Sequence, residues 1–291
     1  MPRPTLLAVS ALALGLALPG ANQHIPTPET HPPRRIVALG AGVAETVVAL
    51  GASEKLVAVD SGSQGIPGLP EGLSHLAYIR AQSAEPILAL RPDLVLADET
   101  TGPPHVLAQL RAAGLKTLVV AAPQDVEGSF SRIQTLARAL ELEKQGNALV
   151  KRIRREVDKA CAPDPQDAQP RPRVLCFYAR ASNALHAFGQ GTPPDTLIAL
   201  AGGRNALDIM GSVELTTEST VTAAPDVFVV LAESSEALGG LEALCERPGL
   251  SATPAARAQR VVVLDHSSLI DFGPRLGEAI GRLRAAIEDA R

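Results

Sequence analysis

The chain has 291 residues, a formal net charge of −4, 46% hydrophobic residues, 2% aromatic residues and no Trp. That length and apolar content provide substantial cores for one large domain or two. The slight acidity lacks the basic footprint of a nucleic-acid binder, and a site walled by stacked indoles is excluded.

The first residues, MPRPTLLAVSALALGLALPGANQ, place Arg3 ahead of an apolar stretch from Leu6 to Leu18, with small residues at Ala17 and Ala21. This is the pattern of an export signal and is too short to span a bilayer. The Pro-rich TPETHPPRR that follows argues against a buried helix, and no Cys follows at which a lipid could be attached. The expectation is a signal peptide over 1–21 and a mature protein outside the cytoplasm, in the periplasm.

RIVAL (35–39) reads as the first strand, and VAETVVALGA as a short amphipathic helix stopped by Gly51. Gly40 and Gly42 do not make a dinucleotide loop, because residue 45 is Glu where GxGxxG needs its third glycine. LVAVD (56–60) is a second strand, and a Gly/Pro-rich loop leads from it to Tyr78, one of only two tyrosines. LVLA before Asp98 and KTLVVAA (116–122) are further strands, separated by a helix with prolines at its start and Gly114 at its end. Continuous apolar strands alternating with helices predict a parallel α/β lobe over 34–140.

From Val126 onward the apolar residues recur at helical spacing, with a break near Leu142 and a second helix from Glu143 to Ala160. Eighteen residues at 1.5 Å each give about 27 Å, enough to link one lobe to another. KRIRRE on that helix reads as a solvated face. After the linker PDPQDAQPRP the alternation resumes: RVLCFY as a strand, ASNALHAFGQGT as a loop, PPDTLIALAGG as a helix, VFVVLAE and VVVLD as strands. FGPRLGEAIGRLRAAIEDA closes a second α/β lobe over 172–291. Cys161 and Cys176 flank the linker and could pair, worth about 3 kcal/mol, but Cys176 lies in an apolar strand and reads as core. There is no CxxC or HExxH.

One segment returns. EPILALRPDLVLA (85–97) and ESTVTAAPDVFVV (218–230) both run from Glu through six residues to Pro-Asp and a buried strand. The repeat points to two related lobes.

Two α/β lobes joined by one stiff helix, behind an export signal, resemble the substrate-binding proteins of ABC importers for haem, cobalamin and ferric siderophores. Within that class the chain is most similar to periplasmic haem-binding proteins, through YIRAQSAEPILALRPDLVLADE, GPPHVLAQLRAAG, FGQGTPPDTLIALAGGRNA and FGPRL. The resemblance covers essentially all of residues 34–290. It implies two Rossmann-like lobes with parallel sheets, no catalysis, transported haem as ligand, and a permease dimer as partner. It makes Tyr78, in a Tyr-x-Arg element with Arg80, the axial ligand of haem iron. The chemistry is independent of the resemblance. A phenol ionises near pH 10, ferric iron favours the phenolate, and a guanidinium that keeps its proton lowers the cost of that charge.

The same resemblance makes His186 the candidate second ligand from the other lobe, and Arg80, Arg180 and Arg275 candidate donors to the propionates. His75 stands three residues before Tyr78; His105 and His266 read as loop histidines. Glu85 and Glu218, matched in the repeat, are implied as the contacts to arginines of the two membrane subunits; the alternative is a carboxylate at each helix start facing the dipole. A cobalamin or ferric-siderophore carrier on the same fold is the competing reading, though its aromatic walls are barely supplied here. The six scattered histidines do not form a metal-carrier cluster. A secreted α/β hydrolase would need a GxSxG elbow, and the chain offers only GSQG at Gly62.

Overall fold

Strand and helix alternate from residue 36 to residue 120 of the computed structural model, which describes residues 31–162, 170–179 and 184–291. The elements are β1 (Ile36–Leu39), α1 (Ala41–Ala49), β2 (Leu56–Asp60), β3 (Ser74–Leu76), α2 (Ala84–Ala89), β4 (Leu94–Asp98), α3 (Pro104–Ala112) and β5 (Thr117–Val120). The strands form one parallel sheet in the order β3-β2-β1-β4-β5. Ile36 to Leu39 and Leu94 to Ala97 are fully buried, as expected of strands covered on both faces.

Helices α4 (Val126–Ala139) and α5 (Glu143–Ala160) carry the chain to a second sheet. There follow β6 (Arg173–Ala179), β7 (Leu185–Phe188), α6 (Pro193–Leu200), β8 (Arg204–Asn205), β9 (Ser212–Glu214), α7 (Thr217–Ala223) and β10 (Val227–Leu231). Then come α8 (Ala232–Ala237), α9 (Gly240–Glu246), α10 (Pro254–Arg257), β11 (Val261–Leu264), α11 (His266–Leu269) and α12 (Leu276–Asp289). No helix among the described residues is long and apolar enough to cross a membrane, and the expected signal peptide lies outside them.

The second sheet corrects one expectation: it is mixed rather than wholly parallel, in the order β11-β10-β6-β7-β9. ASNALHAFGQGT, expected as a loop, contains β7. Leu185 to Phe188 return antiparallel against Phe177 to Ala179, and β9 pairs antiparallel with β7 in turn. A hairpin partner needs no crossover helix, so the alternating strand-helix pattern gives no sign of it. β6, β8, β10 and β11 still make a parallel set, with β8 on the first half of β6.

The repeat has a structural meaning. Asp93 accepts from the backbone N–H of Arg34 at 2.7 Å and of Arg35 at 3.1 Å, while its own N–H donates to the Arg35 carbonyl. Asp226 does the same to Arg173, accepting at 2.8 Å. Each Pro-Asp therefore clamps the start of the neighbouring strand, β1 in one lobe and β6 in the other. The residues before the two prolines, Arg91 (φ 46°) and Ala224 (φ 40°), share a left-handed backbone, so the chain leaves α2 and α7 by the same turn.

One core cluster runs from β1 and α1 through Phe130, Ile133 and Leu136 on α4 and Leu149 and Ile153 on α5. It continues into β6 and into Leu276, Ile280 and Leu283 on α12. The lobes thus share apolar interior through the connecting helices. Gly146 lets α5 approach α4, since a Cβ there would come 2.5 Å from the Ala137 methyl. Cys161, Cys176 and Cys245 are free thiols. Cys176 is fully buried in β6, and burial pushes its pKa well up, which fits a core residue and not half of a disulfide.

Candidate functional site: an inter-lobe cleft

The carboxyl ends of all five strands in the first sheet converge on one cleft of about 180 Å³. Gly40 follows β1, Asp60 ends β2, Tyr78 and Arg80 follow β3, Asp98 ends β4, and Ala122 to Gln124 follow β5. Pro193, His266, Ile270 and Asp271 close it from the second lobe. This is where open α/β sheets bind ligands, because strand ends there present loops instead of covering helices. A second cavity of about 310 Å³ shares Ala41, Gly62 and His266 with the first and extends to Glu233, Asp265 and Arg275.

Tyr78 is 49% exposed, the only tyrosine among the large apolar side chains left open to solvent. Its backbone is held firmly. The Gln82 side-chain amide donates to the carbonyls of Ala77 and Tyr78, the latter at 3.2 Å, and Ala81 N–H donates to Tyr78 O at 2.8 Å. Gln82 N–H donates to Gly102 O at 2.9 Å, and Gly102 N–H returns a bond to Ile79 O at 3.0 Å. Gln82 and Ile79 are buried. A loop fixed at this many points presents the phenol at little entropic cost on binding. Arg80 lines the same cleft and has no ion pair among the described residues.

The other expected site residues are placed differently. His186 sits on β7 opposite Tyr178, its ring 5.7 Å from that ring; it is not in a loop and is not among the residues lining the Tyr78 cleft. His266, read from sequence as an ordinary loop histidine, is the histidine that lines the cleft, with Nε2 3.8 Å from Asp271 Oδ1. Arg275 gives its guanidinium to Glu45 at 2.6 Å and Asp265 at 2.9 Å. Burial pulls its pKa down, but those two carboxylates outweigh it and leave it raised. Arg180 lies outside the described residues. His75 and His105 are exposed on β3 and α3.

Sequence reasoning missed the acidic strand ends. Asp60 accepts from Gly40 N–H, Gly62 N–H and Ser63 Oγ at 2.8, 3.0 and 2.8 Å. Asp98 accepts from Thr100 N–H at 2.8 Å, and its buried Oδ2 has no partner among the described residues. The parallel endings LVAVD and LVLAD were the available signal. Behind the cleft, Arg132 is buried and donates to the carbonyls of Asp271 and Phe272. Burial lowers its pKa, against the pull of Asp271, Asp98 and Glu45. Ser129 Oγ also donates to Phe272 O, at 2.6 Å. FGPR is therefore an inter-lobe contact that precedes α12 and not its first turn.

Glu85 and Glu218 each occupy the second position of a short helix, α2 or α7. Both are exposed and neither has an ion pair among the described residues.

A profile of the periplasmic binding protein family matches residues 36–267. Periplasmic haem-binding protein RhuT from Roseiflexus sp. RS-1, solved in its apo form, superposes with a TM-score of 0.82 at 37% identity, over 88% of this chain and 98% of that one. Periplasmic haem-binding protein BhuT, solved with two haems, gives a TM-score of 0.78 at 38% identity over the same shares. Among curated relatives, an ABC transporter substrate-binding lipoprotein, YvrC of Bacillus subtilis (strain 168), is 25% identical over 260 residues, 88% of this chain and 80% of that protein. A vitamin B12-binding protein of Yersinia pestis (strain Pestoides F) is 28% identical over 204 residues, 69% of this chain and 71% of that protein. With a family match across both sheets and the cleft between them, the chain belongs to the periplasmic binding proteins.

Proposed function

We propose that this protein binds haem in the inter-lobe cleft, outside the cytoplasm, and delivers it to an ABC importer. The observation that carries the reading is Tyr78, a half-exposed phenol on a clamped loop in that cleft, in a chain whose haem-binding relatives match over nearly their whole length. Tyr78 supplies the phenolate to ferric iron, and Arg80 in the same cleft offsets its charge and donates to a propionate. Arg275 is engaged by Glu45 and Asp265, so Arg80 is the cleft arginine assigned to the ligand. From the second lobe, His266 replaces His186 as the candidate ligand on the far side of the iron, because it lines the cleft and His186 does not.

Titration with hemin, followed by absorption with cobalamin as the control, tests the ligand class. Saturable binding of hemin with a phenolate-to-iron charge-transfer band is expected, and Tyr78→Phe should abolish that band. An unchanged spectrum in the variant would remove Tyr78 from the iron; saturable cobalamin binding without hemin binding would replace the ligand.

Glu85 and Glu218 are proposed as the contacts to two equivalent membrane subunits. Their support is equivalent position in the repeat, exposure, and the absence of an ion pair among the described residues.

A further inference from the structure

The two proposed docking helices repeat more than their glutamates. When 85–93 is laid on 218–226, Leu88 falls on Val221, three residues after each Glu. Leu88 is 37% exposed and Val221 45%, two of the six large apolar side chains left open among the described residues. The position just before them is the reverse: Ile87 and Thr220 are 0% and 3% exposed. Single exposed apolar residues are common and need no explanation. Here the exposure recurs at one matched position in two lobes whose remaining helix residues differ, beside a carboxylate with no ion pair among the described residues.

Residues three apart share a helix face, so each lobe offers a carboxylate next to an aliphatic side chain. We infer that each docking pad is that pair, Glu85 with Leu88 and Glu218 with Val221, and that the partner presents a basic side chain bordered by apolar surface, twice, on two equivalent subunits. The inference rests on the glutamate docking reading above and deepens it. An ion pair left in open water is screened and contributes little. An aliphatic neighbour that excludes water at the contact lowers the local dielectric and strengthens the same pair. Charge then sets orientation and encounter rate, while apolar cover sets how long the complex lasts.

The test uses the haem-loaded full chain and the reconstituted importer, with binding measured at low and high salt. Leu88→Ser with Val221→Ser should leave the haem spectrum and the unfolding midpoint unchanged and weaken binding about tenfold or more, with the salt dependence retained. Glu85→Gln with Glu218→Gln should weaken binding and flatten the salt dependence. Leu88→Ile with Val221→Ile should restore binding, which a general effect of surface substitution would not do. Weakening by the glutamate pair alone overturns the inference and leaves the docking reading standing. Full affinity in both double variants overturns both. Loss of haem binding in the serine pair also overturns it, placing these residues in the ligand site.

Discussion

Arg275, just before α12, sets its Nε 2.6 Å from Oε1 of Glu45 on α1 and its Nη1 2.9 Å from Oδ2 of Asp265. Glu45 is the residue that breaks the dinucleotide pattern, and its side chain is 6% exposed. The position that disqualifies one ligand class thus ties the two lobes together. Gly42, one helical turn earlier, completes the seam: its N–H donates to Asp271 Oδ2 at 2.8 Å. A Cβ on Gly42 would stand 2.6 Å from Arg132 Nη2 and 2.7 Å from the Asp271 Cβ.

Removing one partner of such a pair is costly, because the other charge stays buried. Arg275→Met should lower stability by about 3 kcal/mol, at the low end for a buried pair because the arginine is partly exposed. Adding Glu45→Leu to the same chain should recover much of the loss, since the stranded carboxylate is then gone. Urea midpoints of the haem-free variants measure both effects. A single variant as stable as the parent would make the ion pair a bystander.

Asp271 gives the seam a pH dependence of definite sign. Burial raises its carboxyl pKa, against the opposing pull of His266, Arg132 and the Gly42 N–H and with some help from Asp98. A carboxyl whose pKa is higher folded than unfolded holds its proton more tightly in the fold. Its contribution is therefore full below the unfolded value, about 3.9 for Asp, and is lost as pH rises through the raised folded value. Asp271→Asn keeps an oxygen to accept from Gly42 and abolishes the titration. Relative to this variant, the parent should be most stable in acid and lose ground as pH rises toward neutrality. A stability difference that does not change with pH would show that Asp271 does not titrate between the two states.

Much of this was legible because it is local. Continuous apolar runs mark β1, β4, β6 and β10, and the Glu-to-Pro-Asp spacing marks the duplicated α2 and α7. Tyr78 stood out by rarity, and the Tyr-x-Arg element of the family resemblance gave it a role. What was not legible depends on partners far away in sequence. β7 exists because β6 offers it an edge, so residues with a loop composition become a strand, and His186 sits on that strand and not among the residues lining the Tyr78 cleft. His266 reaches the cleft because β11 ends there. The demand for glycine at 42 comes from Arg132 and from Asp271, 229 residues on. Patterns within a window of a dozen residues carry no such information.

Hinged binding proteins close around ligands because a few loop residues absorb the change in backbone angles. Here α5 is one uninterrupted helix from Glu143 to Ala160, and its Leu149, Ile153 and Val157 are buried in a core that both sheets share. Turning one lobe against the other would have to part α5 from α4 at Gly146, where the Ala137 methyl is already in contact. It would also strain the Arg275 to Glu45 ion pair and the bonds of Ser129 and Arg132 to Phe272. Interiors packed this closely resist continuous deformation. Small-angle scattering from the free and haem-loaded protein should therefore give nearly superimposable profiles, with a radius of gyration near the roughly 19 Å expected for a folded chain of this size. A clear fall in that radius on loading would mean that the helix bends or the shared core parts. Cleft access would then be controlled by lobe movement rather than by side chains at its mouth.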